Sequence, residues 1–148
     1  MLSEHHNRRE FLLQLSSLIA GSVPAMLLFN GCAVSGLTSY HPSADAGKIS
    51  LQLAQYPALA ETGGAIQLDI DGGVSPIVVV RVDNDTLTAL SPICTHLGCT
   101  VRKERSVFRC PCHGSTYTLD GTVVRGPTQR PLVTYRTEYE DGTLIIYL

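Results

Sequence analysis

Four of the five cysteines and two of the five histidines fall within residues 94–115. This stretch opens as Cys94-Thr95-His96-Leu97-Gly98-Cys99 and closes as Cys110-Pro111-Cys112-His113-Gly114-Ser115. Each half offers one Cys and one His at short spacing, Cys94 with His96 and Cys110 with His113. Two soft thiolates with two imidazoles describe a transition-metal site. Zinc accepts such a set tetrahedrally, but zinc modules usually group Cys with Cys and His with His. Here each pair mixes the two types. Structural disulfides alone would leave both histidines without a purpose.

The two half-motifs resemble those of the Rieske iron–sulfur family, strongly from about Ser91 to Leu132 and more loosely over the rest of residues 49–148. The resemblance implies a 2Fe–2S cluster in which two His replace two Cys on one iron, raising the potential. Carried over residue by residue, Cys94 and Cys110 bind one iron, and His96 and His113 bind the other. Cys99 and Cys112 form the disulfide of the high-potential members. The hydroxyls matching Ser115 and Tyr117 hydrogen-bond to a bridging sulfide and to a ligand thiolate. Donors aimed at sulfur favour the reduced cluster. Read without the family, Ser115 is a turn hydroxyl and Tyr117 a core aromatic. Leu97 matches the apolar cover between the two loops. Gly98 and Gly114 permit backbone conformations a side chain would block. Gly126-Pro127 matches a third covering loop. It continues as Thr128-Gln129-Arg130-Pro131-Leu132, longer than the loop usual in quinol-oxidising complexes.

Positioning these loops falls to short strands. The chain has 148 residues, no Trp and a formal net charge of −2, which fits one domain plus a tail and gives no reason to expect nucleic-acid binding. Ile49–Leu53 and Ala65–Ile70 alternate apolar and polar residues, and Asp71-Gly72-Gly73 follows as a turn. Pro76–Val82 is a continuous, largely β-branched run, the pattern of a buried strand. Thr86–Leu90 pairs back after Asn84-Asp85. Val107–Arg109 leads into the second Cys-His loop, and Thr122–Arg125 follows the Asp120-Gly121 turn. Val133–Tyr139 and Leu144–Leu148 flank Asp141-Gly142 as a closing hairpin. No stretch after residue 33 has helical periodicity. The expected fold is all-β, and the resemblance implies the Rieske arrangement: an antiparallel β-sandwich base at 49–148 with a cluster-binding lobe inserted at about 91–131. With so modest a core, metal and disulfide would supply much of the stability.

The N-terminal segment is of another kind. Arg8-Arg9-Glu10-Phe11-Leu12 looks like a twin-arginine export signal, an address for cargo folded before export. Residues 11–29 are mostly apolar, and no Asp, Glu, Lys or Arg occurs between Glu10 and Asp45. The stretch is near the roughly 20 residues that span a bilayer, so an N-terminal hydrophobic helix is expected. Arg8-Arg9 would remain on the cytoplasmic side. Two fates fit residues 1–32: an uncleaved anchor, which is preferred, or lipidation at Cys32 after Gly31. Both attach the domain to a membrane. Residues 33–48 are rich in Ser, Ala and Gly and read as a flexible tether.

No nucleophile–base pair and no phosphate-binding loop is present, and the resemblance implies that the chemistry is the cluster's, one-electron transfer. The expected protein is membrane-attached at the bacterial cytoplasmic membrane, faces the periplasm, and takes electrons from quinol. It passes them to a c-type cytochrome within a cytochrome bc-type complex, with a cytochrome b/c-type redox partner. The alternative is the small Rieske subunit of a periplasmic oxidase of the arsenite oxidase type, relaying electrons from a molybdenum site. A disulfide beside the cluster agrees with an oxidising compartment. Residues 37–148 carry 9 Lys+Arg against 11 Asp+Glu, a near balance of charge.

Overall fold

The structure is a computed structural model that describes residues 36–71 and 75–148. The expected signal or anchor at residues 1–32 lies outside them, as does most of the Asp71-Gly72-Gly73 turn. Among the described residues no helix is long and apolar enough to cross a membrane. The strands are β1 (Thr38–Tyr40), β2 (Lys48–Gln52), β3 (Ala65–Leu68), β4 (Ile77–Arg81), β5 (Leu87–Leu90), β6 (Arg102–Glu104), β7 (Val107–Arg109), β8 (Thr116–Thr118), β9 (Val123–Arg125), β10 (Thr134–Tyr135), β11 (Thr137–Glu140) and β12 (Thr143–Tyr147). Two single-turn 3₁₀ helices, Leu53–Gln55 and Pro57–Leu59, link β2 to β3. The fold is all-β, as the strand pattern implies.

The described residues form three sheets: β1-β3-β4-β5-β10, β11-β12-β2, and β6-β7-β8-β9. The first is the middle layer, and β4 shows why. Ile77 and Val79 pack with Ile49, Leu51, Leu144 and Ile146 of β2 and β12. Val78 and Val80 face the other way, toward Phe108, Tyr117, Val101 and Leu132. All four are fully buried. A strand covered on both faces needs an unbroken apolar run instead of alternation, which is what Ile-Val-Val-Val supplies. Strands β2 and β12 have one wet face and do alternate, with burial switching on and off at every residue.

The sheet β6-β7-β8-β9 lies within residues 102–125 and forms the inserted lobe. Its inward residues Phe108 and Tyr117 are directly paired across β7 and β8 and fully buried. They form the floor beneath the Cys-His loops. Truncating a buried Phe typically costs about 3–5 kcal/mol, so this floor is a main tie between lobe and base.

The structure departs from the sequence reading in two places. Thr38–Tyr40, inside the stretch expected as a flexible tether, forms β1 and pairs in parallel with β3. Its hydrogen bonds are with a strand 28 residues further on, Thr38 with Ile66, so no local pattern announces it. It also makes the sheet mixed, not purely antiparallel. Second, Val133–Tyr139 is not one strand. β10 pairs with β5 in the middle sheet, and β11 pairs with β12 in the outer one. The chain changes sheets at Arg136, which is how strands make the corners of a sandwich. The closing hairpin turns at Asp141-Gly142, whose φ values of 48° and 76° are both positive. That pair is the type I′ signature of a two-residue hairpin.

Candidate metal centre

The two loops are built alike. In the first, between β5 and β6, the Cys94 N–H donates to the Cys99 carbonyl at 2.8 Å, and the Gly98 N–H donates to the Cys94 carbonyl at 2.9 Å. In the second, between β7 and β8, the Cys110 N–H donates to the Ser115 carbonyl at 2.8 Å, and the Gly114 N–H donates to the Cys110 carbonyl at 3.0 Å. Each loop is thus closed on its own first cysteine. Gly98 and Gly114 hold φ of +81° and +77°, yet a Cβ at either would meet nothing within 4 Å. Glycine is required there by backbone conformation, not by space.

These loops bring the sequence candidates together. Cys94 and Cys110 are free thiols, each 2% exposed. The His96 and His113 rings meet edge to face, with centroids 4.9 Å apart. The His96 Nδ1 is buried without a hydrogen-bond partner among the described residues. A buried polar nitrogen left unpaired is costly, and a metal bond is one way to satisfy it. Cys99 and Cys112 form a disulfide with Cα atoms 6.5 Å apart, stapling the first loop to the second. The sulfurs of Cys99, Cys110 and Cys112 lie within 4.8 Å of one another, but two of these are spent in the disulfide. The remaining donors are two thiols and two imidazoles, a set that fits a 2Fe–2S cluster with mixed ligation.

Tyr117 and Ser115 reach this site from β8 and its start, and both are fully buried. The Tyr117 hydroxyl lies 3.2 Å from the Cys94 Sγ and accepts the Thr95 N–H at 3.3 Å. The Ser115 Oγ accepts the Thr128 N–H at 3.2 Å, which leaves its own proton free to be donated. Burial pushes the Cys94 thiol up. Hydrogen bonds from Tyr117, from the His96 backbone, from Cys110 and from Ser115 outweigh that and leave it below its ordinary value. Burial raises the Tyr117 phenol, and so does its bond to Cys94. Leu97, expected as an apolar cover, is 70% exposed, the most exposed large apolar side chain among the described residues.

Three residues that sequence reasoning did not single out for the site complete it. The Thr95 hydroxyl donates to the Arg130 carbonyl at 2.7 Å and lies 2.7 Å from the Thr128 hydroxyl. Thr128 accepts the Arg130 N–H at 3.3 Å and donates to the Arg130 carbonyl at 3.3 Å. The Arg130 Nη2 donates back to the Thr95 carbonyl at 3.1 Å. The long third loop is therefore locked onto the first loop, around the residue between Cys94 and His96. The available signals were a hydroxyl flanked by two candidate ligands and the extra residues after Gly126-Pro127.

A family profile described as Rieske 2Fe-2S domain matches residues 57–136. The cytochrome b6-f complex iron-sulfur subunit of Chlorobaculum tepidum is 44% identical over 71 residues, which cover 47% of this chain and 39% of that protein. The menaquinol:cytochrome c reductase iron-sulfur subunit of Bacillus subtilis is 47% identical over 70 residues, covering 43% of this chain and 42% of that one. The matched part thus spans about two fifths of the length of these curated relatives. The crystal structure of a cyanobacterial plasma membrane Rieske protein from Synechocystis superposes with a TM-score of 0.50 at 32% identity, over 57% of this chain and 87% of that one.

Proposed function

Because this chain belongs to the Rieske 2Fe-2S domain family, we propose that Cys94 and Cys110 hold one iron of its 2Fe–2S cluster, and His96 and His113 the other. The observation that carries this is the convergence of two buried free thiols with two histidine rings 4.9 Å apart, one of them with an unpartnered Nδ1. When bound, the cluster supplies one-electron chemistry at a potential raised by its His ligands. The chain's own residues set the terms. Tyr117 donates toward the Cys94 sulfur, and Ser115 has a proton to offer the site from the opposite loop. Both favour the more negative, reduced form, so the potential falls in the upper part of the Rieske range. The half-exposed His96, the exposed His113 and the exposed Leu97 form the face at which a donor meets the centre.

In this reading the protein takes electrons from quinol and passes them to a c-type cytochrome. It is the membrane-attached subunit of a cytochrome bc-type complex and faces the periplasm. The relatives named above, subunits of a b6-f complex and of a menaquinol:cytochrome c reductase, favour quinol over a molybdenum site as donor. The Arg8-Arg9 motif and the apolar residues 11–29 support export and attachment.

The test is low-temperature EPR of the dithionite-reduced full chain, with metal and sulfide analysis and a redox titration. The expected result is a rhombic signal, about two iron and two sulfide per chain, and a midpoint in the upper part of the range of about −150 to +300 mV. A clearly negative midpoint would leave the cluster standing and remove the quinol role. Zinc in place of iron would overturn the ligand assignment.

A further inference from the structure

The near balance of charge along the domain conceals a segregation. Residues 91–131 carry six basic side chains, Arg102, Lys103, Arg105, Arg109, Arg125 and Arg130, against two acidic ones, Glu104 and Asp120. The other described residues carry three basic side chains against nine acidic ones. Strand register sharpens this. Arg102 pairs with Arg109 across β6 and β7, Arg109 with Thr116 across β7 and β8, and Thr116 with Arg125 across β8 and β9. Directly opposed residues share a face, so three arginines lie in one row across four strands. All three are exposed, while the neighbouring row holds the buried Phe108 and Tyr117.

Like charges directly opposite each other weaken a sheet, and little here offsets the repulsion. The one ion pair of the row is Arg109 with Glu104, at 3.9 Å between half-exposed side chains, an arrangement worth little. Among the described residues Arg102 and Arg125 make no ion pair. A local rule broken without local compensation points to function. The position says which. Arg109 immediately precedes Cys110, Thr116 follows Ser115, and Arg125 precedes Gly126-Pro127. The row therefore runs along the strand ends that feed the metal-centre loops.

We infer that the arginine row Arg102–Arg109–Arg125 is a docking surface for an acidic face of a redox partner protein, the electron acceptor. This rests on the electron-transfer reading above and adds the chemistry of the partner. A partner held there lies beside the centre, whereas a lipid surface would gain nothing from that proximity. The acidic remainder of the domain repels the same partner and so orients the encounter. Such steering raises association rates about 10- to 1000-fold and fades with salt.

The experiment uses the reduced, cluster-loaded full chain in detergent, with two c-type cytochromes as probes, one acidic and one basic. Binding is followed by titration, and electron transfer by stopped flow at rising ionic strength. For the acidic cytochrome the expected association rate drops about tenfold or more between low and high salt. The basic cytochrome lacks that drop. R102Q/R109Q/R125Q flattens the salt dependence for the acidic probe alone, with the EPR signal retained. R136Q, at the corner between the other two sheets, does not. A change in potential would alter both cytochromes together, so their ratio reports docking. A second variant, R102Q, removes the cross-strand repulsion and leaves Tm unchanged or raised; a clear fall would make the row structural and overturn the inference. No salt-dependent binding of the acidic cytochrome would overturn it too. So would binding only to vesicles containing phosphatidylglycerol. Salt-dependent binding without electron transfer to either cytochrome would leave the docking surface standing and sink the electron-transfer reading.

Discussion

The Tyr117 hydroxyl lies 3.2 Å from the Cys94 Sγ and 3.1 Å from the Thr95 Oγ1, so one phenolic proton is contested by a candidate ligand and a loop hydroxyl. A thiolate attracts it more strongly than a neutral hydroxyl does, and more so when the centre gains an electron. Tyr117→Phe should therefore lower the midpoint potential with the EPR signal kept. Losing about 1 kcal/mol of preference for the reduced form corresponds to roughly 40 mV for one electron. Ser115→Ala should act in the same direction. A redox titration that moves for neither variant would refute the role given to both hydroxyls.

Thr95 joins three partners that come from distant parts of the chain, Tyr117, Thr128 and Arg130. Thr95→Val keeps the shape but removes the Thr95 hydroxyl's bonds to Thr128 and to the Arg130 carbonyl, which keep their bonds to each other. A lost hydrogen bond of this kind costs about 0.5–1.5 kcal/mol. We expect a lower Tm and faster tryptic cleavage after Arg125, at the start of the third loop, and recovery of both in Thr95→Ser, which restores the hydroxyl. Equal behaviour of Val and Ser would show that the network does not hold the third loop.

The Cys99–Cys112 disulfide closes a separation of 13 residues. Removing a crosslink over a loop of that size costs about 3 kcal/mol in the chain-entropy account. Cys99→Ser should lower the thermal midpoint and speed cluster loss, yet still incorporate iron in the reducing cytoplasm. Complete failure to take up iron there would instead make Cys99 a ligand, which its closeness to the Cys110 sulfur makes worth testing.

At the β8–β9 turn the Asp120 carboxylate accepts the Thr118 hydroxyl and the Thr122 N–H. These bonds hold its pKa below the usual aspartate value, the Thr118 bond most of all. A depressed carboxylate adds stability above its unfolded pKa of about 3.9, and loses it as pH falls through the lower folded value. Asp120→Asn should therefore have a lower Tm than the parent at pH 7. The gap should close in acid below about pH 4, as read by circular dichroism. A gap independent of pH would assign the effect to turn geometry and not to charge.

Much of the molecule was legible because its logic is local. The ligand candidates sit within six-residue loops, each closed by hydrogen bonds to its own first cysteine, so spacing alone brings a Cys and a His of each loop together. The unbroken Ile77–Val80 run could only suit a strand covered on both faces, and Asp141-Gly142 could only suit a tight hairpin. In each case the residues that set the conformation are neighbours in sequence. Tertiary structure decided what depends on distant partners. Thr38–Tyr40 becomes a strand only because β3 offers an open edge. The chain after Val133 divides at Arg136 because its two halves pair with different sheets. Thr128 and Arg130 meet Thr95 across more than thirty residues, and three scattered arginines become a row only through strand register. Pairing across a sheet is set by which backbones meet, and side-chain pattern carries that information only where burial enforces it.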